Sequence, residues 1–323
     1  MPRPTVHEIE CKSVLNRVTG MPFAWSANPY RGCAHACIYC YARETHTYLD
    51  LDPGTSFQEV LFAKVNAPAV LRTELARPSW THEHVVVGTA TDPYQPVEGK
   101  YRLTRRILEA LAEFATPASV TTKGTLVVRD IDVLQDLERR AGAAVNVTVT
   151  TLDRVLWRRL EPGAPPPEKR LEAVRRLARA GIPTGVFVAP VLPGLNDSAA
   201  SLRQVIRAAA EAGARSAIVS PLRIDPAVRE YLLEILGEFY PALARQYEAF
   251  YRGRTTAPPE YRQRLTARAE AIRVAAALGC DVHPASRAEQ RGRAAPGPGS
   301  RPCGQGPQPP RAATRVVQAR LKL

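Results

Sequence analysis

Asn28-Pro-Tyr-Arg-Gly-Cys33-Ala-His-Ala-Cys37-Ile-Tyr-Cys40-Tyr-Ala-Arg43 is the most informative stretch of this chain. It places three of the six cysteines within eight residues, separated by three and then by two residues. Three thiolates at this spacing, on a loop that follows a glycine, can surround one compact inorganic core and leave one of its positions free. Structural zinc sites instead close with four ligands. The stretch therefore predicts an iron-sulfur cluster held by Cys33, Cys37 and Cys40.

The sequence CAHACIYC, residues 33–40, resembles the Cys-x3-Cys-x2-Cys signature of radical S-adenosylmethionine (SAM) enzymes, with the aromatic Tyr39 before its third cysteine. The flanking words NPYRGC, YARETH and GTATDPYQPVEG are similar to those of the DNA repair photolyase-like, or spore photoproduct lyase-like, branch of that family. The resemblance covers about residues 9–280. It implies that the three cysteines hold a 4Fe-4S cluster whose fourth iron chelates SAM.

The resemblance also implies the reaction. Reduction by an electron donor such as flavodoxin or ferredoxin would cleave SAM to a 5'-deoxyadenosyl radical, which abstracts hydrogen from a substrate. The alternative interpretation of the triplet is a zinc site whose fourth ligand is Cys11, His35, His46 or Cys280. The chain would then be a zinc-binding protein that interacts with nucleic acid without catalysis. The flanking family words favour the cluster.

Composition predicts a globular protein of the cytoplasm. The chain has 323 residues, of which 45% are hydrophobic and 23% charged. No apolar run approaches the roughly 20 residues that span a bilayer, and the first residues lack the apolar core of a signal peptide, so no membrane partner is expected. Clustered cysteines in a cytosolic chain indicate metal binding rather than disulfides.

The net charge of +13 is unevenly distributed. Residues 285–323 carry eight Lys or Arg against Glu289, a net charge of +7, which leaves about +6 for the rest of the chain. The same residues include six Pro and five Gly, which predicts a disordered tail. Such a tail either holds polyanions weakly and without sequence preference or only keeps the protein in solution.

Strands and helices alternate along the body of the chain, which predicts a parallel sheet with right-handed crossovers. The predicted strands are residues 23–28, 84–89, 118–122, 144–151, 184–189 and 216–220, and the predicted helices are 41–49, 103–114, 130–141, 168–180 and 198–212. The predicted fold class is α/β, a partial (β/α)6 TIM-like barrel of parallel strands with C-terminal helices and a disordered tail. A doubly wound open sheet is the alternative that periodicity leaves open.

Four segments follow from this pattern. Residues 1–22 are predicted to be an N-terminal extension, 23–222 the barrel, 223–284 a helical extension and 285–323 the tail. Within the barrel, residues 50–83 are expected to be an irregular excursion of turns and short helices. Helices are expected at residues 227–236, 241–251 and 260–278.

Candidate site residues are sought where parallel strands end, because sites in such folds collect at the carboxyl ends of strands. The loop after the second predicted strand presents polar groups between prolines. Its members Thr89, Asp92, Tyr94, Gln95 and Glu98 are predicted to be catalytic or to bind substrate. The alternative for this loop is a proline-rigid connection whose polar groups only face water.

Residues after the later strands are predicted to bind the cofactor. Lys123 could meet the SAM carboxylate in a charge-assisted hydrogen bond, and a Thr-Lys pair contacts the cofactor at the matching strand end of spore photoproduct lyases. Thr150 could donate a hydroxyl hydrogen bond. By resemblance, Ala189 and Val191 pack against adenine, and Tyr39 completes the set of cofactor-binding residues. Asn196 and Asp197 are expected only to start the helix near Ser198.

The chain departs from spore photoproduct lyases at one position. Those enzymes carry a cysteine at the end of the second strand to quench the product radical, whereas Gly88-Thr89-Ala90 supplies none here. This difference argues against thymine-dimer repair by that route. Cys280 is expected to be a small buried hydrophobe and Cys303 an incidental thiol. The substrate therefore stays open between a nucleic acid and a metabolite or peptide.

Overall fold

The computed structural model describes residues 3–279, so the predictions for Cys280, Cys303 and residues 285–323 lie outside the described residues. The strands are β1 (Thr5–Ile9), β2 (Leu15–Arg17), β3 (Trp25–Ala27), β4 (Tyr30–Arg31), β5 (Val60–Lys64), β6 (Val85–Val87), β7 (Ala118–Thr122), β8 (Ala143–Thr148), β9 (Thr184–Val191) and β10 (Ser216–Pro221). The α-helices are α1 (Ser56–Glu59), α2 (Ala67–Leu75), α3 (Glu98–Tyr101), α4 (Leu103–Glu113), α5 (Ile131–Arg140), α6 (Arg154–Leu160), α7 (Pro167–Arg179), α8 (Ala199–Glu211), α9 (Pro226–Phe239), α10 (Pro241–Phe250) and α11 (Pro259–Ala275), with 3-10 helices at Tyr41–Leu49 and Thr125–Asp130.

Six parallel strands form the main sheet in the order β3-β6-β7-β8-β9-β10, with β2 antiparallel on the edge beside β3. The strand order follows the chain order, as right-handed strand-helix-strand units require. All three residues of β6 and all six of β8 are buried, because helices cover a parallel sheet on its faces. The predicted partial (β/α)6 TIM-like barrel is confirmed. Its carboxyl ends, where sites form in such folds, lie along one edge.

The helices of the barrel units carry one apolar stripe each. Helix α4, for example, buries Leu103, Ile107, Leu108 and Leu111. Each such side chain contributes about 1.5–3 kcal/mol when it leaves water. Helices α5, α7 and α8 pack in the same way and begin and end within a few residues of their predicted bounds. Within residues 3–279, no helix is long and apolar enough to cross a membrane.

A second, smaller sheet corrects the prediction for residues 50–83. Strand β5 lies in that segment, parallel to β1 and antiparallel to β4. Its Leu61 and Ala63 are buried while Val60, Phe62 and Lys64 are partly exposed, which is the alternation of a half-buried strand. The segment is therefore not only turns and short helices. Because only Gly32 separates β4 from the first cysteine of the loop, this sheet fixes where the cysteine loop begins.

Candidate functional site

The cysteine loop begins at a glycine that no other residue could replace without strain. Gly32 has φ +73°, and a Cβ atom there would lie 2.8 Å from the carbonyl oxygens of Phe57 and Val60. The next amide, that of Cys33, donates to the Phe57 carbonyl at 2.9 Å. Two turns then follow within the loop, with Ala36 N donating to Cys33 O at 3.2 Å and Cys40 N to Cys37 O at 3.3 Å. The loop is thus a compact, folded unit.

The three thiols of the loop are free and largely buried. Cys33 is 7% exposed and Cys37 is 6% exposed, and neither they nor Cys40 form a disulfide. Burial raises the pKa of Cys33, and it raises that of Cys37 to about 12. A cysteine binds a metal as its thiolate, so metal binding here would release the thiol protons to solvent. Three adjacent thiols with no other covalent partner fit the donor set of an iron-sulfur cluster.

Three of the four residues proposed as a fourth zinc ligand have other partners, and the fourth, Cys280, lies outside the described residues. Cys11 Sγ lies 3.3 Å from Asn66 Oδ1, His35 Nδ1 3.1 Å from Asp92 Oδ2, and His46 Nε2 3.0 Å from the Val60 carbonyl. Within the described part of the chain, no three His, Cys, Asp or Glu side chains are placed to hold a single metal ion. The contacts of these residues therefore do not support the zinc alternative.

The loop after β6 is bonded directly to the cysteine loop. Gln95, with 0% exposure, accepts from Ala34 N at 2.9 Å and donates to Gly32 O at 3.0 Å. The Thr91 hydroxyl donates to the same Gly32 carbonyl at 2.7 Å. Two side chains of this loop thus satisfy backbone groups on both sides of Cys33.

Asp92 joins the cysteine loop to the end of β7. Its carboxylate faces His35 and accepts from Thr122 Oγ1 at 2.5 Å, Lys123 N at 2.6 Å and Tyr94 N at 2.9 Å. Burial acts against this charge, but His35 and these hydrogen bonds hold the pKa of Asp92 well below its usual range. An ionised carboxylate therefore fixes Lys123 relative to the cysteines.

The other residues predicted to contact substrate differ in position. Thr89 lies at the end of β6, partly exposed, and its hydroxyl accepts from Asn28 Nδ2 at 3.0 Å. Tyr94 is 2% exposed and lies in the main core, and Glu98 is fully buried in an ion pair with Arg129 at 3.0 Å. Glu98 also accepts from Thr104 N at 3.0 Å. A substrate contact by Tyr94, Gln95 or Glu98 stays a prediction that their internal contacts do not support.

Three of the residues predicted to bind the cofactor lie together. The Lys123 ammonium is 5.6 Å from the centre of the Tyr39 ring, and the Tyr39 hydroxyl is 3.2 Å from Thr150 Oγ1. Thr150 in turn donates to Glu161 Oε1 at 2.6 Å. A cation, an aromatic ring and a hydroxyl therefore meet beside Cys40, at the carboxyl ends of β7 and β8.

Strand β9 holds the remaining two residues of the predicted cofactor set. Ala189 is partly exposed, whereas Val191 is fully buried in the main core. The prediction that Asn196 only starts a helix is wrong. Asn196 is buried, accepts from Leu192 N at 2.6 Å and donates to Thr150 O at 2.9 Å, so it ties the loop after β9 to the end of β8. The helix cap is Ser198 instead.

Sequence reasoning missed two charged residues behind the site. Glu161 is 1% exposed and accepts from the Tyr39 hydroxyl, and Arg170, 0% exposed, forms an ion pair with it. Burial acts against the charge of Glu161, but Arg170 and Lys123 lower its pKa to about 2. Neither residue belongs to a word of the cysteine signature, and the contact that links them to it, between Tyr39 and Glu161, spans 122 positions. A glutamate and an arginine nine residues apart form no sequence motif that would indicate a buried ion pair.

The chain belongs to the Radical SAM superfamily, whose family model matches residues 27–208. An uncharacterized protein of Mycobacterium tuberculosis is 42% identical over 284 residues, which are 87% of this chain and 84% of that protein. Spore photoproduct lyase of Bacillus subtilis is 25% identical over 191 residues, 57% of this chain and 50% of that enzyme. Members of the superfamily use a 4Fe-4S cluster and SAM, and this chain is a radical SAM enzyme.

A solved structure shows the same fold. A spore photoproduct lyase variant with bound AdoMet and dinucleoside spore photoproduct superposes with a TM-score of 0.64, over 83% of this chain and 78% of that one. The sequences are 15% identical over this match, so the comparison shows the fold alone.

Proposed function

We propose that this protein binds a 4Fe-4S cluster through Cys33, Cys37 and Cys40, cleaves SAM reductively and starts hydrogen abstraction from a substrate related to nucleic acid. The observation that carries the proposal is the set of three free thiols on one loop whose backbone is bonded to the loop after β6. The cluster and SAM, when bound, supply a carbon-centred radical that abstracts hydrogen.

The protein's own residues bind and orient the reactants. Lys123 would hold the SAM carboxylate through a charge-assisted hydrogen bond, and Asp92 holds the backbone of Lys123 in place. Tyr39 and Thr150 would contact SAM beside Lys123. Glu161 accepts hydrogen bonds from both of their hydroxyl groups and so fixes their positions. Such fixed groups lower the entropy cost of reaching the reactive geometry.

Sequence similarity and the net charge of the protein support a nucleic-acid substrate. Spore photoproduct lyase is among the relatives, and the net charge of +13 favours a polyanion. Strand β6 is followed by Gly88-Thr89-Ala90, with no cysteine to quench a product radical. The reaction we propose is therefore not dimer cleavage with a donor cysteine at that position. We also place the protein in the cytoplasm, because thiolate ligands and an iron-sulfur cluster need a reducing compartment.

Single alanine replacements of the three cysteines test the site. In Cys33→Ala, Cys37→Ala and Cys40→Ala we expect loss of iron after anaerobic reconstitution and loss of 5'-deoxyadenosine formation, because each replacement removes one ligand. The matched control is Cys11→Ala, since Cys11 is a free thiol bonded to Asn66 and should leave both readouts unchanged. A triple variant that keeps its full iron content would refute the ligand assignment.

Isotope transfer tests the substrate class. We expect deuterium from a dinucleotide or oligonucleotide deuterated at its sugar and base carbons to appear in 5'-deoxyadenosine, measured by mass spectrometry. Deuterium transfer from a labelled peptide or metabolite pool, with none from the oligonucleotide, would overturn the nucleic-acid proposal and leave the radical SAM assignment intact.

A further inference from the structure

The end of α6 and the turn that follows it lie against the cysteine loop. Ile38 N donates to Leu160 O at 3.0 Å, and Gly163 N donates to His35 O at 3.1 Å. Both bonds join backbone groups, so residues 160–163, the last residue of α6 and the turn after it, lie alongside the middle of the loop. We call residues 160–163 the clamp segment.

Gly163 sets how closely the two segments approach. A Cβ atom at this position would lie 2.1 Å from the Ala34 carbonyl oxygen and 3.1 Å from the carbonyl carbon of His35. The atoms in the way belong to the backbone, which cannot swing aside as a side chain can. Only glycine therefore permits this approach.

The clamp segment is itself anchored by a buried ion pair. Glu161 accepts from Thr150 Oγ1 at 2.6 Å and from the Tyr39 hydroxyl, and it pairs with Arg170. Arg170 also donates to Pro165 O at 2.7 Å and to Thr148 O at 3.1 Å. A buried charge pair is stable only when its remaining donors and acceptors are satisfied in this way. The pair links the clamp segment to β8 and α7, which are rigid parts of the barrel.

We propose that the clamp segment and the Glu161–Arg170 pair fix the cysteine loop in its cluster-binding conformation before iron is present, with Glu161 as a positioning residue for Tyr39 and Thr150. The inference rests on the proposed role of the three cysteines as ligands. None of the contacts described above involves a cysteine sulfur, so the loop backbone is held independently of what the sulfurs bind. A loop that is ordered during folding does not lose conformational entropy again when the cluster and SAM bind, so both bind more tightly.

Hydrogen exchange of the full-length wild-type protein, before and after reconstitution, tests this order of events. We expect the amides of Ile38 and Gly163 to be protected in the metal-free protein, together with those of β8. If residues 34–39 exchange freely without iron and become protected with it, the cluster orders the loop and the proposal fails. Loss of protection in β8 as well would also overturn it, because the clamp would then be unformed without metal.

Two variants test the positioning role. For Glu161→Gln and Gly163→Ala we expect faster hydrogen exchange of the amides of residues 34–39. We also expect KM for SAM to rise on the order of tenfold with a smaller change in kcat, and the EPR spectrum of the reduced cluster with SAM to change. The matched controls are Glu172→Gln, in an exposed pair with Arg175, and Gly237→Ala, where a Cβ meets open space. Folded Glu161→Gln and Gly163→Ala proteins with wild-type KM and EPR spectrum would overturn the proposal. Iron loss in the cysteine variants is a separate result, so the two proposals can fail independently.

Discussion

The guanidinium group of Arg43 lies wholly inside the protein, three residues after the last cysteine of the loop. It donates to Cys37 O at 2.9 Å, to Gln58 Oε1 at 2.8 Å and to the Gly54 carbonyl. The rings of Phe57 and Tyr231 lie 5.2 Å and 4.3 Å from its central carbon. A buried arginine is tolerated because its planar fork meets several acceptors at once. Arg43 thus couples the cysteine loop to α1 and to α9.

Replacement of Arg43 by lysine should be costly even though the charge is kept. The single ammonium group of lysine can reach only one of the three acceptors that the guanidinium bonds, so the other two would be left buried and unpaired. We therefore expect Arg43→Lys to lower the free energy of unfolding by about 2–3 kcal/mol. Urea denaturation measures the change. The control is Arg72→Lys, because Arg72 and Glu113 are 38% and 53% exposed and such pairs contribute about 0–1 kcal/mol. Equal effects of the two substitutions would contradict the role given to Arg43.

At the scale of elements, three segments from different barrel units converge on the cysteine loop: the loop after β6, the end of β7 and the clamp segment. Hydrophobic periodicity predicts the units themselves, because each strand and helix buries a regular face. It fails for α6, whose seven residues give too few repeats of the helical period, and for β5, which pairs with β1 and β4 in the second sheet, outside the alternating strand-helix units. Contacts such as Asn196 with Thr150 join residues 46 positions apart, and no local pattern records them.

The ion pair behind the clamp segment makes stability depend on pH. Glu161 has a folded-state pKa of about 2, below its ordinary value of 4.5, so its stabilising contribution is present above pH 4.5 and is lost as the pH falls toward 2. We expect the free energy of unfolding of wild type to exceed that of Glu161→Gln by on the order of 3 kcal/mol at pH 7, and this difference to shrink at low pH. Urea denaturation of the metal-free proteins at pH 7 and pH 3 measures both values. A gap that does not narrow with acid would show that Glu161 acts through packing rather than charge.

For the whole molecule, the distribution of charge bears on the substrate. More than half of the net charge of +13 comes from residues 285–323, which lie outside the described residues, while the cysteine loop and every residue of the site lie in the described part. Cationic residues release counterions when they meet phosphates, whatever the sequence of the nucleic acid. The tail should therefore add affinity for polyanions without taking part in the reaction.

Truncation after Pro284 separates affinity from chemistry. We expect the shortened protein to keep its iron content and SAM cleavage, and to bind an oligonucleotide more weakly and with a smaller dependence on salt, because each phosphate contact adds about 0.9 to the slope of log affinity against log salt for duplex DNA. Fluorescence anisotropy across a salt series measures the slope. Full-length Cys303→Ser is the control for the thiol in the tail and should match wild type in turnover. If truncation abolished turnover of an identified substrate while iron content stayed intact, the tail would be part of the active site.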